Sequence, residues 1–426
     1  MNRPARAFFL LLALGALSTV SALYLETTIP LGAARGPLWS PIGNKVYFLS
    51  MTNGRDYVTV IDGATNQVTR NIRVEDDASS LALNMADGKI YCTSGESDVL
   101  EVICAHGDSL IRQLQLTGFP TTMVHDARRG KLFVAAADDE VVYAIDARGD
   151  TVVARIPVHN PYGMLIHPQM DRLFISHYCN ADSLLVLDCV ADTVTAQHHL
   201  MRFVSRPLCV GTDGEVFVPC RYQLEVFSSD GEALVATIPT SSRVSRIAIY
   251  APRLGKLYIS DPDLGILAID CRGRTIVDTI PLGVSAEYMR DAVFDTVHNM
   301  LYVLCRRQVL AIDTRNDSVV AVVNLPDRSA SYALAWNPVN RRIYADDSWL
   351  NAVYVLRDTT SGVEESQPRP FSEPAAPTVV RGILRLPQPA SGTLLDASGR
   401  AVLALKDGAN DVSRLAPGVY FVLTPH

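Results

Sequence analysis

A chain of 426 residues exceeds what one ordinary hydrophobic core supports, so it is either several domains or a repeat array. An apolar fraction of 48% excludes wholesale disorder, and a formal net charge of −7 argues against a nucleic-acid binder, which would carry a basic footprint.

The N-terminus reads as a targeting segment: Arg3 and Arg6, then an apolar run over 8–17, then the small residues Val20, Ser21 and Ala22 at a cleavage site. The run is too short for a stable membrane span, and no cysteine precedes Cys92 to accept a lipid. With 1–22 assigned as a signal peptide and no later span, the mature protein is expected to be secreted or at the cell surface, with the periplasm as the alternative. Export permits disulfides, and Cys92/Cys104 and Cys209/Cys220 each flank an expected hairpin.

From residue 23 onward, an aromatic recurs after a short apolar run: Tyr47, Tyr91, Phe133, Phe174, Phe217, Tyr258, Tyr302 and Tyr344, at spacings of 41 to 44 residues. Four of the five lysines (Lys45, Lys89, Lys131 and Lys256) stand two places before such an aromatic. Short strands rich in Val, Ile and Leu, punctuated by Gly, Asp and Asn and repeating at this period, indicate four-stranded propeller blades. Eight anchors give eight blades over 23–357, where seven would be the alternative count. Ile156-Pro157, Ile238-Pro239 and Ile280-Pro281 end the outermost strands, since proline cannot donate a ladder hydrogen bond and belongs on an edge. The eighth unit lacks a fourth strand, and Glu26 to Leu31 match Val153 to Val158, so the N-terminal strand is expected to complete the last blade and close the ring.

Residues 57–68, YVTVIDGATNQV, with Ala144-Ile145-Asp146, Ala268-Ile269-Asp270 and Ala311-Ile312-Asp313, resemble the YVTN-type β-propeller repeat. The resemblance implies the fold; relatives by fold include lactonases, lyases and quinone-dependent dehydrogenases. Residues 358–378 read as a Pro/Ser/Glu-rich linker. In 379–426, Asp396, Gly399, Arg400, Gly408, Asn410, Leu415, Gly418 and Tyr420 resemble the C-terminal sorting domain of type IX secretion substrates, a small β-sandwich. That resemblance implies the secretion machinery as a partner.

From the aromatic anchor to the end of the third strand the spacing varies between 11 and 15 residues, whereas from there to the end of the fourth it is always 12. Variation therefore concentrates on one face, the expected binding face. Arg206, Arg221, Arg243, Arg290, Arg306 and Arg307 fall in its loops, with Asp76, Asp77, Asp138, Asp139 and Glu140 across the ring and Trp349 beside Asp346 and Asp347 near the seam. An arginine wall suits an anionic ligand or protein surface. His159, Tyr162 and His177 should cluster there, near Cys179 and Asp182, but their spacing matches no metal-ligand motif. Asp261 to Gly265 reads as a turn, because the closing glutamate of a calcium loop is missing, and His198-His199 as surface. The Asp of the repeated Ile-Asp pair reads as a turn cap. No catalytic motif, metal or cofactor is assigned. The expectation is a secreted or surface scaffold binding an extracellular ligand or protein, the alternative an enzyme with its site in the central funnel.

Overall fold

The computed structural model describes residues 23–177, 183–200, 208–241, 246–283, 289–305, 307–326 and 329–359, and in the C-terminal part 383–386, 392–396, 401–406, 408–412 and 420–423. The chain falls into two units that divide after Ser361. The first is an eight-bladed propeller of four-stranded antiparallel sheets, and no helix occurs among the described residues. Seven blades are contiguous: 35–73, 78–115, 120–157, 161–199, 209–239, 248–280 and 289–324. The eighth joins Leu334–Asn337, Arg342–Asp347 and Ala352–Asp358 to Leu23–Pro30, which lies outermost and antiparallel, Leu23 opposite Asp358 and Pro30 opposite Ala352. The eight blades and the N-terminal latch are as expected. Asp358, placed in the linker by sequence, belongs to the propeller: it ends a strand and is buried.

The sheets hold together because both faces of the middle strands are apolar. A core cluster fills every interface between neighbouring blades. At the seam Ile29, Tyr344, Val353 and Val355 pack on Val46, Phe48 and Ile61 as the other blades pack on their neighbours. Each such side chain contributes about 1.5–3 kcal/mol.

The lysine two places before the aromatic explains itself at these interfaces. Lys89 Nζ and the Tyr91 hydroxyl both donate to Asp150 of the next blade and to the Ala147 carbonyl beside it. Lys45 and Tyr47 reach Asp108, Lys131 reaches Asp192, and Lys256 and Tyr258 reach Asp317. The accepting aspartates Asp108, Asp150, Asp192 and Asp317 all stand in the left-handed backbone region, φ 48–54°, at the end of the turn between third and fourth strands. Asp62, Asp146, Asp188, Asp270 and Asp313, the aspartates of the Ile-Asp pairs and their equivalents, cap the start of the same turns by accepting backbone amides.

In every blade the fourth strand bulges once against the third. The extra residue is Thr69, Ile111, Val153, Thr195, Val235, Val277 or Val320, and in the eighth blade Glu26. The bulge aims Glu26 at Arg342, which it meets with both oxygens at 2.6 Å. Arg342 occupies the lysine position of its own repeat and donates to the carbonyls of Gly63 and Ala64 in blade 1. The latch is thus tied to both sides of the seam.

No disulfide links the seven cysteines among the described residues. Cys92 stands opposite Glu101, Cys104 opposite Lys89, Cys209 opposite Phe217 and Cys220 opposite Gln223, so in neither hairpin do the two flanking cysteines face one another. Register, which hairpin proximity does not fix, decides the matter.

The second unit contains two small sheets: Ile383–Leu386 with Gly408–Asp411, and Gly392–Asp396 between Ala401–Leu405 and Tyr420–Leu423. Leu394 and Leu405 are buried together, and the Asn410 side chain closes the turn by accepting from Lys406 N and donating to its carbonyl. Gly399, Arg400, Leu415 and Gly418 lie outside the described residues.

Candidate functional site

The connections between first and second strands and between third and fourth emerge on one face; those between second and third strands, and from blade to blade, emerge on the other. The first kind are uniform, four residues in most blades. Those between second and third strands run from two residues (53–54, 221–222, 306–307) to five (178–182). A larger contrast lies in the blade-to-blade segments. Those entering blades 1 to 4 (31–34, 74–77, 116–119 and 158–160) have four residues or fewer. Between the strands that bound the entries to blades 5 to 8 the sequence has eight or nine residues (200–208, 240–247, 281–288 and 325–333), of which 201–207, 242–245, 284–288, 327 and 328 lie outside the described residues. The long connections therefore share one half of the ring.

The variable face also exposes large side chains. Trp349 is 73% exposed at the tip of the turn in blade 8, its amide held by Asp347 at 2.9 Å. Tyr332, on the segment entering blade 8, is 53% exposed, and Arg290 of the inner strand of blade 7 stacks over it, Cζ 5.3 Å from the ring centroid. Arg221 lies over Tyr222 at 4.9 Å in the turn of blade 5. Arg307 occupies the corresponding turn of blade 7, while Arg206, Arg243 and Arg306 lie outside the described residues. Of the ten residues singled out from the sequence, the structure brings together His159 and His177, whose rings are 6.4 Å apart. Tyr162 follows Pro161, which begins the inner strand of the same blade and stands opposite His177. Cys179 and Asp182 lie outside the described residues.

Two other readings resolve locally. Asp261 accepts the amides of Asp263, Leu264 and Ser241, the turn expected of it. His198 is not a plain surface residue: its Nε2 donates to the Gly231 carbonyl at 2.6 Å and its ring packs against Phe227, bridging blades 4 and 5, because its strand borders the next blade's turn.

Beneath the variable face lies a set of buried acids that sequence reasoning did not single out as a group. Asp56 accepts from Ala78 N; Glu101 from Glu75 N and the Ser94 hydroxyl; Asp291 from Ala292 N and Leu334 N; Asp346 from Tyr332 N, Ala333 N and Gly36 N. Each ties a blade-to-blade segment or inner strand to its neighbour by accepting at least one backbone amide. Among the described residues, no group of three or more His, Cys, Asp or Glu side chains is placed to hold a metal.

Burial raises the carboxyls of Glu101 and Asp291 to about 7 and of Asp346 to about 6. A raised folded value means that the native state holds these protons more tightly than the unfolded chain. Their stabilisation is complete below about pH 4 and is lost as pH rises through 6–7. The unfolding midpoint of Asp291→Asn should therefore depend less on pH between 5 and 8 than that of the unsubstituted protein, as thermal scans across that range will read. A parallel dependence in both would refute the assignment.

The chain is thus an eight-bladed β-propeller repeat protein. No family model and no curated protein matches it. Among solved structures, 1533 chains match. One is the crystal structure of the C-terminal WD40 domain of Sif2, to which this chain is similar at a TM-score of 0.65 and 14% identity, over 78% of this chain and 98% of that one. At that identity the likeness is one of fold.

Proposed function

We propose that the ring is a recognition scaffold that grips a protein partner with the half of its variable face bounded by blades 5 to 8. What supports this most directly is the coincidence of the long blade-to-blade segments with exposed Trp349, Tyr332 and Tyr222, two of the three tyrosine and tryptophan rings being paired with arginines. Tryptophan, tyrosine and arginine are the residues that dominate binding energy at protein interfaces, because they combine large apolar area with few rotamers and a polar handle. Guanidinium groups lying over tyrosine rings favour a partner segment carrying carboxylates. The signal-like 1–22 and the sorting-domain resemblance of the second unit support an extracellular setting for this encounter.

The test is selection of binders from a random peptide library displayed on phage, using the full chain as bait. Enriched peptides should be acidic and aromatic, and Trp349→Ala or Tyr332→Ala should weaken them at least about tenfold. Val297→Ser and Val339→Ser, in turns of the opposite face, should leave them unchanged. Binders sensitive to the valines and indifferent to the aromatics would overturn the proposal.

A further inference from the structure

On the acidic side of the same face, away from the long segments, blades 3 and 4 bring two imidazoles together. The register fixes their approach. His177 ends the second strand of blade 4 opposite Pro161, and His159 precedes Pro161 by two residues on the short segment 158–160. Val158 N donates to the Glu140 carbonyl at 2.8 Å, which sets the turn of blade 3 beside His159.

On both rings Nδ1 is the nitrogen anchored on an oxygen. Nδ1 of His159 lies 2.6 Å from Glu140 Oε1, so it carries the proton and donates to the carboxylate. Nδ1 of His177 lies 3.1 Å from the Ser183 hydroxyl, which the Gln197 side-chain amide also approaches, at 3.4 Å. Nε2 of His159 meets only the Asn160 amide at 3.2 Å. His177 is 5% exposed, and its Nε2 is buried with no hydrogen-bond partner. A buried polar atom left unpaired costs about 1–3 kcal/mol, so its persistence calls for a ligand. Imidazoles with Nδ1 anchored on an oxygen and Nε2 facing inward are the usual arrangement of metal-binding histidines, the anchor fixing tautomer and ring orientation.

We propose that His159 and His177 together bind a divalent late-transition-metal ion through their Nε2 atoms, with water completing the coordination. A metal bound to an imidazole nitrogen sits roughly 3 Å from the ring centroid, so rings 6.4 Å apart can share one ion after a modest rotation of the half-exposed His159. The neighbouring acids Asp138, Asp139 and Glu140 favour a cation over an anion at this point of the rim. Imidazole donors select copper, nickel or zinc over calcium or magnesium. This site is independent of the recognition surface proposed above.

Copper(II) titrated into the full, tag-free chain tests the site by calorimetry and electron paramagnetic resonance. One ion per chain with nitrogen hyperfine structure from imidazole is expected. His159→Gln and His177→Gln should each weaken it at least about tenfold, and His198→Gln/His199→Gln should not. Since His159 is exposed, its variant reports even where His177→Gln fails to fold. Absence of saturable binding, or binding that persists in His159→Gln and disappears in the His198/His199 variant, would overturn the proposal.

Discussion

A chain that begins at Leu31 should lose more than about 5 kcal/mol of stability, a loss comparable to the whole margin of many domains. Three effects add. Leu23 and Ile29 leave the cores on either side of blade 8, about 1.5–3 kcal/mol each. Arg342, 7% exposed, loses the carboxylate that matches its guanidinium and keeps only the Gly63 and Ala64 carbonyls, and a broken buried pair costs about 3–5 kcal/mol. The strand Ala352–Asp358 becomes an unpaired edge, open to self-association. Size-exclusion chromatography should show oligomers, and urea unfolding a lower midpoint. A synthetic peptide of residues 23–31, added in excess, should restore both by strand addition. Within the intact chain, Glu26→Gln should reproduce part of the loss, about 2–3 kcal/mol. An unchanged midpoint on truncation would mean that the ring closes without its latch.

Much of this was legible in the sequence because the ring reuses one design eight times. The spacing of aromatics marked the blades, and the match of Glu26 to Leu31 with Val153 to Val158 marked the N-terminal strand as the missing fourth strand; the bulge that Glu26 and Val153 share appears only in the register. The long segments entering blades 5, 6 and 8 were not legible, for a geometric reason. The inner strands that follow them are short (Cys209–Val210, Ala248–Ala251 and Leu334–Asn337), so a long connection and a short strand offset one another and leave the period at 41 to 44 residues. Spacing between anchors sees only their sum. The buried acids Asp291 and Asp346 escaped for a different reason: their partners are backbone amides of neighbouring blades, 43 residues from Asp291 to Leu334 and 310 from Asp346 to Gly36, and no residue pattern marks an amide. The His159–His177 pair was visible as proximity, whereas its anchored Nδ1 atoms and the unpartnered Nε2 of His177 were not.

Asp150→Ala should cost about 3–5 kcal/mol, and two separable causes produce that figure. Asp150 stands at φ 49°, where the side chain of alanine is strained by about 1–2 kcal/mol and aspartate and asparagine are tolerated. It also receives Lys89 Nζ at 2.8–2.9 Å and the Tyr91 hydroxyl at 3.0 Å, with both side chains of the ion pair about one-tenth exposed. Removing the carboxylate leaves the ammonium against carbonyls alone. Asp150→Gly relieves the backbone but not the charge, and should recover only the strain component; Asp150→Asn keeps the backbone and an acceptor, and should cost about 1–2 kcal/mol. Adding Lys89→Met to Asp150→Ala should restore stability relative to the single variant, since a buried pair removed whole costs less than one broken. Urea midpoints of the set decide the matter. If glycine matched the unsubstituted protein and Lys89→Met brought no recovery, the repeated lysine would be a marker of turn geometry and not the tie between blades.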